Sequence, residues 1–443
     1  MKPPPPLNPQ TSLRLVQGRS GSTANDPNGN GEVSVAERCR KRYGVYHPDL
    51  VLSVTHSGAV SIKPNARNYR LLLEQQKDLD LKFSEFDQCE FIRGKPLTDK
   101  DILKLRDELI GFLRGDVRTQ DVRDAVELAA HQHPYNPLTE WFNDLPANAG
   151  TDLLDSWLTT VCGAADTPIT RVIGRKWLIS AVARALKPGC YVEGSLIFFG
   201  DQAAGKTWLF TNLNPRKEYY SGEELNISNK KEAAALCAGK FIIELGELNS
   251  IRRNELNAMK QYLTATEDTY QPKYKQRAVT VPRMHIFGGS TNEETFLTDP
   301  TGNRRFWCVA AGDKIDQELF LKIKEPLWAQ AVASFRRGDQ WTLTEDERKM
   351  LEDANAAFLV EDPLVTFLEH ELAKTWASHD EISSFLLQRQ VLLPYKDKVH
   401  PKTVATAMQA LGWKKSQITS GENKGQKCYL RPGSVSAMGG NVE

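Results

Sequence analysis

The chain has 443 residues, and its 57 lysines and arginines nearly balance 56 aspartates and glutamates, which gives a formal net charge of +1. A chain of this length exceeds what one ordinary hydrophobic core organises, so two or three domains are expected. The near-zero charge excludes a polycation, and any contact with nucleic acid must come from local basic clusters. The longest apolar runs, such as residues 194–200, are far too short to span a bilayer.

The cysteines and the N-terminus bear on the compartment in which the protein works. The seven cysteines are scattered and include no C-x-x-C pair, a usage typical of reduced thiols in a cytosol and not of a disulfide framework or a zinc site. The chain opens with a run of prolines where a signal peptide would have an apolar core. We therefore expect a cytoplasmic protein without a membrane partner.

The N-terminal third predicts a tail followed by a mostly helical domain. Residues 1–44 continue from the prolines through a Gly-, Ser- and Asn-rich stretch, a composition that predicts disorder. Apolar residues then suggest a small hairpin within 51–62, and the segment 98–101 has the form of a capping box before a helix. We predict a mostly helical accessory domain over 46–150.

The remaining two thirds predict an α/β domain and a smaller basic domain. After a helix that ends at Lys187-Pro-Gly189, four short apolar strands alternate with helices. These strands are predicted at 196–199, 241–243, 284–287 and 306–309. Buried strands between helices indicate an α/β fold with a parallel sheet, which we assign to 151–340. Three helical patterns and a basic hairpin then predict a winged helix over 361–431, and a flexible tail over 432–443.

A nucleotide-binding loop is the most specific motif of the chain. The stretch Gly200-Asp201-Gln202-Ala203-Ala204-Gly205-Lys206-Thr207 fits G-x-x-x-x-G-K-[ST] at every position. It follows a predicted strand and precedes a helical segment that starts at Trp208, so backbone N–H groups can converge on phosphates. Lys206 is expected to reach the β- and γ-phosphates of ATP, and the Thr207 hydroxyl to bind Mg²⁺. The alternative is a chance Gly-rich turn, which the flanking strand and helix disfavour. We predict an ATP site over 200–208.

Two carboxylates follow the next predicted strand. A P-loop ATPase needs one carboxylate in the Mg²⁺ shell and one that orients the attacking water. Glu244 is placed where the strand leaves the sheet, so we assign it to Mg²⁺, directly or through water, and Glu247 to the water. The alternative is a pair of solvated carboxylates at a strand end.

An asparagine and an arginine pair complete the candidate catalytic groups. Asn292 follows the strand 284–287 and a short turn, where an amide can hold the attacking water or sense the γ-phosphate. Arg304 and Arg305 precede the strand 306–309, and their side chains diverge, so one can act as an arginine finger across a subunit interface while the other pairs internally. The alternatives are an ordinary turn residue and a structural Arg–carboxylate pair.

Together these motifs resemble the virulence-associated protein E family, superfamily-3-like AAA+ helicases of phages, prophages and pathogenicity islands. The most specific segments are 187–189, 200–207, 243–248, 259–264, 281–284, 290–292 and 296–307. The resemblance runs from about residue 68 to the C-terminus. One departure is Leu145–Gly150, where relatives often have Trp-Asp-Gly.

The resemblance carries expectations for the site and the assembly. It implies a Walker A loop at 200–207, Walker B carboxylates at Glu244 and Glu247, motif B′ around 260–277, motif C at Asn292, and a trans-acting Arg304/Arg305 pair. It also implies a ring, which we expect to be a hexamer, in the cytoplasm of a bacterial host. Because residues 1–44 are too short for the primase domain that many such proteins carry upstream, we expect a separate primase.

Two basic segments are the candidate DNA contacts. The segment 252–283 contains seven basic residues and three acidic ones. Within it, Lys273, Lys275 and Arg277 occupy every second position, so they would lie on one face of an extended strand. This segment resembles the pore loop of superfamily-3 rings, which grips the phosphates of a single strand, with Tyr274 able to stack on a base. The alternative is a solvated edge hairpin.

The predicted winged helix is the second candidate DNA contact. It carries Lys414 and Lys415 in a basic setting that suits the backbone of duplex DNA. A protein-docking module is the alternative, because wings serve both purposes.

These observations predict an ATP-driven DNA helicase or translocase for the replication of a phage or an integrated mobile element. The alternative is a DNA-bound ATPase switch, in initiation, packaging or interference, that does not unwind DNA. A small-molecule P-loop kinase is disfavoured, because it needs neither the Arg304/Arg305 pair nor a basic C-terminal domain.

Overall fold

The computed structural model describes nine stretches of the chain. They are residues 34–147, 153–246, 253–272, 277–297, 303–359, 363–376, 380–395, 399–418 and 424–432, with the side chains of 253–257 left out. Across these stretches, no helix combines the length and the apolar character that crossing a membrane requires.

The first described element corrects the predicted boundary of the disordered tail. Helix α1 (Val35–Tyr43) lies within residues 1–44, and residues 1–33 lie outside the described part of the chain. Ser34 and Glu37 form a capping box, so the helix starts at a defined point. Cys39 and Tyr43 are buried against the N-terminal core. The polar composition of residues 1–44 gave no indication that these two residues are buried. The folded part of the chain therefore begins at least ten residues earlier than the composition indicates.

The N-terminal region combines helices with two small sheets. Its further helices are α2 (Ala66–Glu74), α3 (Asp99–Leu113), α4 (Thr119–Ala130) and α5 (Pro137–Asp144). Its strands are β1 (Leu52–Val54), β2 (Val60–Ile62), β3 (Lys82–Ser84), β4 (Cys89–Ile92), β5 (Lys95–Pro96) and β6 (Pro134–Tyr135). Strands β1 and β2 form the expected hairpin, and the others form a sheet in the order β5-β4-β3-β6. That four-stranded sheet was not predicted, because its strands are too short to show periodicity.

The central region is an α/β structure built on a five-stranded parallel sheet. The strands of the sheet are β7 (Ser195–Phe199), β8 (Tyr220–Ser221), β9 (Ile242–Leu245), β12 (Ile286–Thr291) and β13 (Phe306–Ala310). Its helices are α6 (Leu153–Thr160), α7 (Pro168–Leu186), α8 (Lys206–Leu213), α9 (Lys230–Cys237), α10 (Arg253–Thr264), α11 (Gln317–Arg337) and α12 (Glu345–Asn355). The strand order is β13-β7-β12-β9-β8, and every pairing is parallel. The predicted α/β class with a parallel sheet is therefore confirmed.

Helix α7 and strand β12 show how the sheet packs. Helix α7 is buried almost all round because it lies between the sheet and helices α6 and α11, and the Trp177 indole donates a hydrogen bond to the Phe287 carbonyl at 3.0 Å. Strand β12 begins two residues later than predicted and continues to Thr291. Its glycines hid this extension, and Gly288 is required there because a Cβ would lie 2.3 Å from the Phe210 ring of α8.

Between α10 and β12 the chain forms a separate antiparallel hairpin. Its strands are β10 (Glu267–Tyr270) and β11 (Val279–Pro282), which pair from Glu267 opposite Pro282 to Tyr270 opposite Val279. A buried ion pair fixes its base, since Arg283 Nη2 lies 2.7 Å from Asp268 Oδ1.

The C-terminal region has its own small core and sheet. Its elements are α13 (Pro363–Thr375), β14 (Glu381–Ser383), α14 (Ser384–Leu386, extended by a π-helical turn to Val391), α15 (Pro401–Ala410), β15 (Lys414–Gln417) and β16 (Lys427–Leu430). The antiparallel sheet has the order β14-β16-β15, and Leu368, Leu387 and Met408 are fully buried beneath it. Ile382 was predicted in the second helix but lies in β14 opposite Tyr429, because the added strand completes the sheet.

Candidate functional site

A concave loop joins β7 to α8 at the carboxyl edge of the parallel sheet. The loop covers 200–205, and helix α8 starts at Lys206. Ala203 and Gly205 have φ angles of 68° and 99°, and the left-handed turn at Gly205 is one that glycine adopts without a steric penalty. The loop surrounds a cavity of about 330 Å³, a volume suited to a small-molecule ligand. Its lining comprises residues 202–208, Ser290 and Asn292.

Lys206 is the cationic group of this cavity. Its side chain is buried, and Nζ donates to the Gly200 carbonyl at 2.6 Å, to the Asp201 carbonyl at 2.7 Å and to Asn292 Oδ1 at 3.1 Å. Burial lowers the pKa of Lys206, although the Asp201 and Glu244 carboxylates partly oppose this effect. The ammonium is thus held inside the loop by neutral oxygens. An anionic ligand could displace them, because an anion is the stronger hydrogen-bond acceptor.

Glu244 is held by three hydroxyl groups. Thr207 Oγ1 and Ser290 Oγ donate to Oε1 at 3.1 and 2.5 Å, and Tyr220 Oη donates to Oε2 at 2.5 Å. Glu244 is buried within β9 and pairs in register with Gly288 of β12, so the expectation that it lies where the strand leaves the sheet was wrong by one residue. Only Leu245 follows it in the strand. Thr207 and Glu244, which the sequence analysis assigned to the same Mg²⁺, are in hydrogen-bond contact.

The donor set around Thr207 and Glu244 fits Mg²⁺. A hydroxyl oxygen and a carboxylate oxygen lie 3.1 Å apart, and hard oxygen ligands are the ones that Mg²⁺ prefers. The neighbouring loop and the buried ammonium of Lys206 fit a polyphosphate in the same way. Glu247, the other candidate carboxylate, lies outside the described residues.

The flanking residues of the predicted ATP site also have defined places. Gly200 and Asp201 contribute carbonyl oxygens to Lys206, whereas Gln202 and Ala203 are exposed at the mouth of the cavity. Ala204 is buried, and its carbonyl accepts a hydrogen bond from the Ile315 amide at 2.9 Å. Trp208 is half-buried on α8, with its ring edge against Phe320.

Arg304 and Arg305 do not line this cavity. They occupy a short 3₁₀ turn immediately before β13, and Phe306 of β13 pairs with Ser195 at the start of β7. Since Lys206 follows the carboxyl end of β7, the arginines lie at the opposite, amino edge of the sheet. Arg304 is exposed, and Arg305 is half-buried with an Nε that has no hydrogen-bond partner among the described residues.

The candidate DNA contacts fall in two places. Lys273, Tyr274 and Lys275 lie outside the described residues, in the connection between β10 and β11. Arg277 is exposed just before β11. Lys414 and Lys415 are the first residues of β15, and both are exposed opposite Leu430 and Tyr429.

Sequence comparison assigns the central region to a known domain. Residues 142–360 match the Virulence-associated protein E-like domain. The central region thus belongs to the virulence-associated protein E family. The matched segment contains every residue that lines the cavity, and it confirms the resemblance found from the motifs.

Solved structures add a likeness of fold. The apo structure of the NrS-1 C-terminal region (305–718) is 13% identical, with a TM-score of 0.50, and the match covers 82% of this chain and 98% of that one. An A-form apo structure of the same region gives 15% identity and a TM-score of 0.47 over the same shares of the two chains. At such identity the first match shows a common fold alone. No curated protein matches the chain.

Two residues of this virulence-associated protein E-like domain escaped the sequence analysis. Ser290 stands within a segment that supported the resemblance, but no role was assigned to it. Tyr220 belongs to the two-residue strand β8, which has no periodicity to mark it. A tyrosine between the loop and the carboxylate strand was the only available signal, and its contact with Glu244 depends on the order of strands in the sheet.

Proposed function

We propose that this chain is a Mg²⁺-dependent ATP hydrolase that powers a DNA helicase or translocase during replication of a phage or an integrated mobile element. The observation that carries the proposal is the convergence of Lys206, Thr207 and Asn292 on one cavity at the carboxyl edge of the sheet. The Glu244 carboxylate lies directly behind this cavity and accepts the Thr207 hydrogen bond. Phosphoryl transfer from a nucleoside triphosphate needs these groups: a cation, a metal-binding hydroxyl and carboxylate, and an amide near the γ-phosphate.

Five residues have a chemical role in this proposal. Lys206 would exchange the Gly200 and Asp201 carbonyls for the β- and γ-phosphate oxygens, which are stronger acceptors. Thr207 and Glu244 would hold Mg²⁺, which supplies charge neutralisation of the phosphates when bound. Asn292, released from Lys206, would contact the γ-phosphate or the attacking water. Glu247 is assigned to the orientation of that water from its position in the sequence.

The position of the arginine pair supports a ring in which subunits share active sites. Arg304 and Arg305 lie at the edge of the sheet opposite to their own loop, so neither covers the γ-phosphate of the same chain. A head-to-tail ring brings the surface of one subunit against the loop of the next. We assign the assembly as a hexamer of the AAA+ type, with one arginine as the finger.

Two regions are assigned to DNA. The hairpin β10–β11 carries Arg277 and the Lys273–Lys275 connection, which we place in the ring pore around a single strand. The C-terminal region has the element order helix, strand, helix, helix, strand, strand, which is the plan of a winged helix. The exposed Lys414 and Lys415 of that region would contact the duplex backbone. A separate primase would supply the primers, in the bacterial cytoplasm.

DNA-dependent hydrolysis and unwinding test the proposal with the full chain. We expect Mg²⁺-dependent ATP hydrolysis that single-stranded DNA stimulates, and displacement of the labelled strand of a fork. The control is Lys206→Ala, which should lose both activities. Stimulated hydrolysis without displacement would assign the chain to the alternative, a DNA-bound ATPase switch. ATP hydrolysis that DNA does not stimulate would contradict both the helicase assignment and the ATPase-switch assignment.

A further inference from the structure

The hydroxyl groups around Glu244 come from three different elements. Thr207 lies on α8, Ser290 near the end of β12 and Tyr220 on the edge strand β8. Two of the hydrogen bonds measure 2.5 Å, from Ser290 to Oε1 and from Tyr220 to Oε2. Each carboxylate oxygen therefore has one short donor that is not part of the P-loop, and the plane of the carboxylate is fixed from both sides.

The hydroxyl of Tyr220 donates to Glu244 and also interacts with the side chain of Thr211. Its neighbour Tyr219 packs its ring edge-on against Phe86 at 4.8 Å in the hydrophobic core, whereas Tyr220 directs its hydroxyl to Glu244. Burial, together with the hydrogen bond to Glu244 and its negative charge, raises the pKa of Tyr220.

A fixed carboxylate matters for a cation at Thr207. The Thr207 hydroxyl can donate its proton to Glu244 and offer a lone pair to a metal at the same time. That geometry requires Oε1 to stay on the Thr207 side of the carboxylate. Without a donor on Oε2, the carboxylate can rotate about its terminal bond, because such torsions are broad. Groups that orient a metal ligand in this way change metal affinity strongly.

We propose that Tyr220 and Ser290 are positioning residues for the divalent cation of the ATP site, which they serve by holding Glu244. This inference rests on the proposed function. Tyr220 is not among the residues that line the cavity, so its effect passes through Glu244 and the cation, whereas Ser290 also lines the cavity itself. The virulence-associated protein E-like cavity would thus depend on an edge-strand tyrosine that lies outside the P-loop and the carboxylate motif.

Cation titrations of the full chain test the proposal. The variants are Tyr220→Phe and Ser290→Ala, and Tyr219→Phe is the matched control that removes a neighbouring phenol facing the core. Free Mn²⁺ is followed by its paramagnetic resonance signal in the presence of ADP, and ATP hydrolysis is followed against Mg²⁺ concentration. We expect Tyr220→Phe to weaken Mn²⁺ binding about 10-fold or more, with a smaller fall in hydrolysis at saturating Mg²⁺. The control should match the wild type.

A double-mutant cycle separates positioning from a general structural effect. In a Glu244→Gln background, Tyr220→Phe should have no further effect on Mn²⁺ binding, because the phenol acts through that carboxylate. Full additivity, or wild-type cation affinity of both single variants, would overturn the inference while the proposed function stands. If Tyr220→Phe does not fold, the Mn²⁺ affinity of Ser290→Ala tests the proposal in the same way. A wild-type chain without cation-dependent nucleotide binding would overturn the inference and the proposed function together.

Discussion

The ammonium of Lys206 lies 3.1 Å from Oδ1 of Asn292, a residue 86 positions later in the chain. The two meet because β7 and β12 are adjacent parallel strands, and Lys206 and Asn292 both follow the carboxyl ends of these strands. Any ligand that draws Lys206 away also releases the Asn292 amide. The contact therefore connects the phosphate-binding loop to the strand that continues from the β10–β11 hairpin.

Lys206→Ala should lower ATP hydrolysis at least about 100-fold, because it removes the cation that compensates phosphate charge from a preformed loop. Thermal unfolding should change little, because the Lys206 side chain borders the cavity, where water can replace its hydrogen bonds to the Gly200 and Asp201 carbonyls. Steady-state hydrolysis and circular dichroism check both statements. Lys240→Ala is a matched control, because the Lys240 amine also donates to a backbone carbonyl, but outside the cavity. Near-wild-type turnover of Lys206→Ala would show that the nucleotide site is misassigned.

Asn292→Asp should bind ATP more weakly than Asn292→Ala. The new carboxylate would form an ion pair with Lys206 at the position of the present 3.1 Å hydrogen bond, and it would repel the γ-phosphate. Alanine only removes the amide. We expect a difference in dissociation constant of about 10-fold, measured by equilibrium binding of a fluorescent ATP analogue. Equal affinities of the two variants would argue that the phosphates do not approach Asn292.

Mixed rings should restore part of the lost hydrolysis. A chain with Arg304→Ala and Arg305→Ala keeps its loop, and a Lys206→Ala chain keeps its arginines, so some interfaces of a mixture contain both. With random mixing of equal amounts, about a quarter of head-to-tail interfaces would be intact. Hydrolysis over a series of mixing ratios, with mixed rings verified by native mass, checks the expectation.

The control for this experiment mixes Lys206→Ala with Asn292→Ala. Both residues belong to the cavity of one chain, so an interface cannot combine the two intact groups. Recovery in this control equal to that of the arginine mixture, or no recovery in either, would exclude a shared site.

Neutralising Lys273 and Lys275 should weaken binding to single-stranded DNA and reduce the slope of its salt dependence by about two. Unwinding should stop, while hydrolysis without DNA should persist, because neither lysine is assigned a contact with the nucleotide. The comparison is a chain truncated after Glu361, which should lose duplex binding and retain movement on a preloaded strand. If the double lysine variant unwinds DNA normally and the truncated chain does not, the coupling of ATP hydrolysis to DNA movement would have to be assigned to the C-terminal region.

Glu347→Gln should destabilise the protein by about 2 kcal/mol at neutral pH, the range for hydrogen bonds to a charged group. Glu347 accepts from Lys176 Nζ at 2.6 Å and from the Thr344 amide at 2.6 Å, which ties α12 to α7. Burial raises the pKa of Glu347, but these hydrogen bonds outweigh it, and the pKa lies below its ordinary value. The matched control is Glu345→Gln, which removes a largely exposed carboxylate in the same turn.

The pH dependence of the Glu347 effect follows from the sign of that shift. A carboxyl whose pKa is lower in the folded state stabilises the protein fully above its unfolded pKa, about 4.3, and this contribution is lost as the pH falls through the folded pKa. The difference in unfolding free energy between wild type and Glu347→Gln should therefore be constant above about pH 5.5 and shrink in acid. Chemical denaturation at a series of pH values measures it. A difference that grows in acid would contradict the assignment.

The sequence by itself determined the course of the loop between β7 and α8 and much of the sheet. The loop motif dictates a local backbone path between a strand and a helix, and continuous apolar runs indicate buried parallel strands. Both signals are local, so they required no knowledge of which strands are neighbours. Because of its glycines, the full length of β12 was not evident from the sequence. Helix α1 was not evident either, because its two buried residues lie in an otherwise polar segment.

The tertiary structure alone decided which groups meet. The strand order β13-β7-β12-β9-β8 differs from the order along the chain, and it sets Asn292 beside Lys206 and Tyr220 beside Glu244. The same order and the parallel register place Arg304 and Arg305 at the far edge of the sheet. Local sequence patterns report how a segment folds and not which segment lies next to it, because strand neighbours are selected by packing across the whole core.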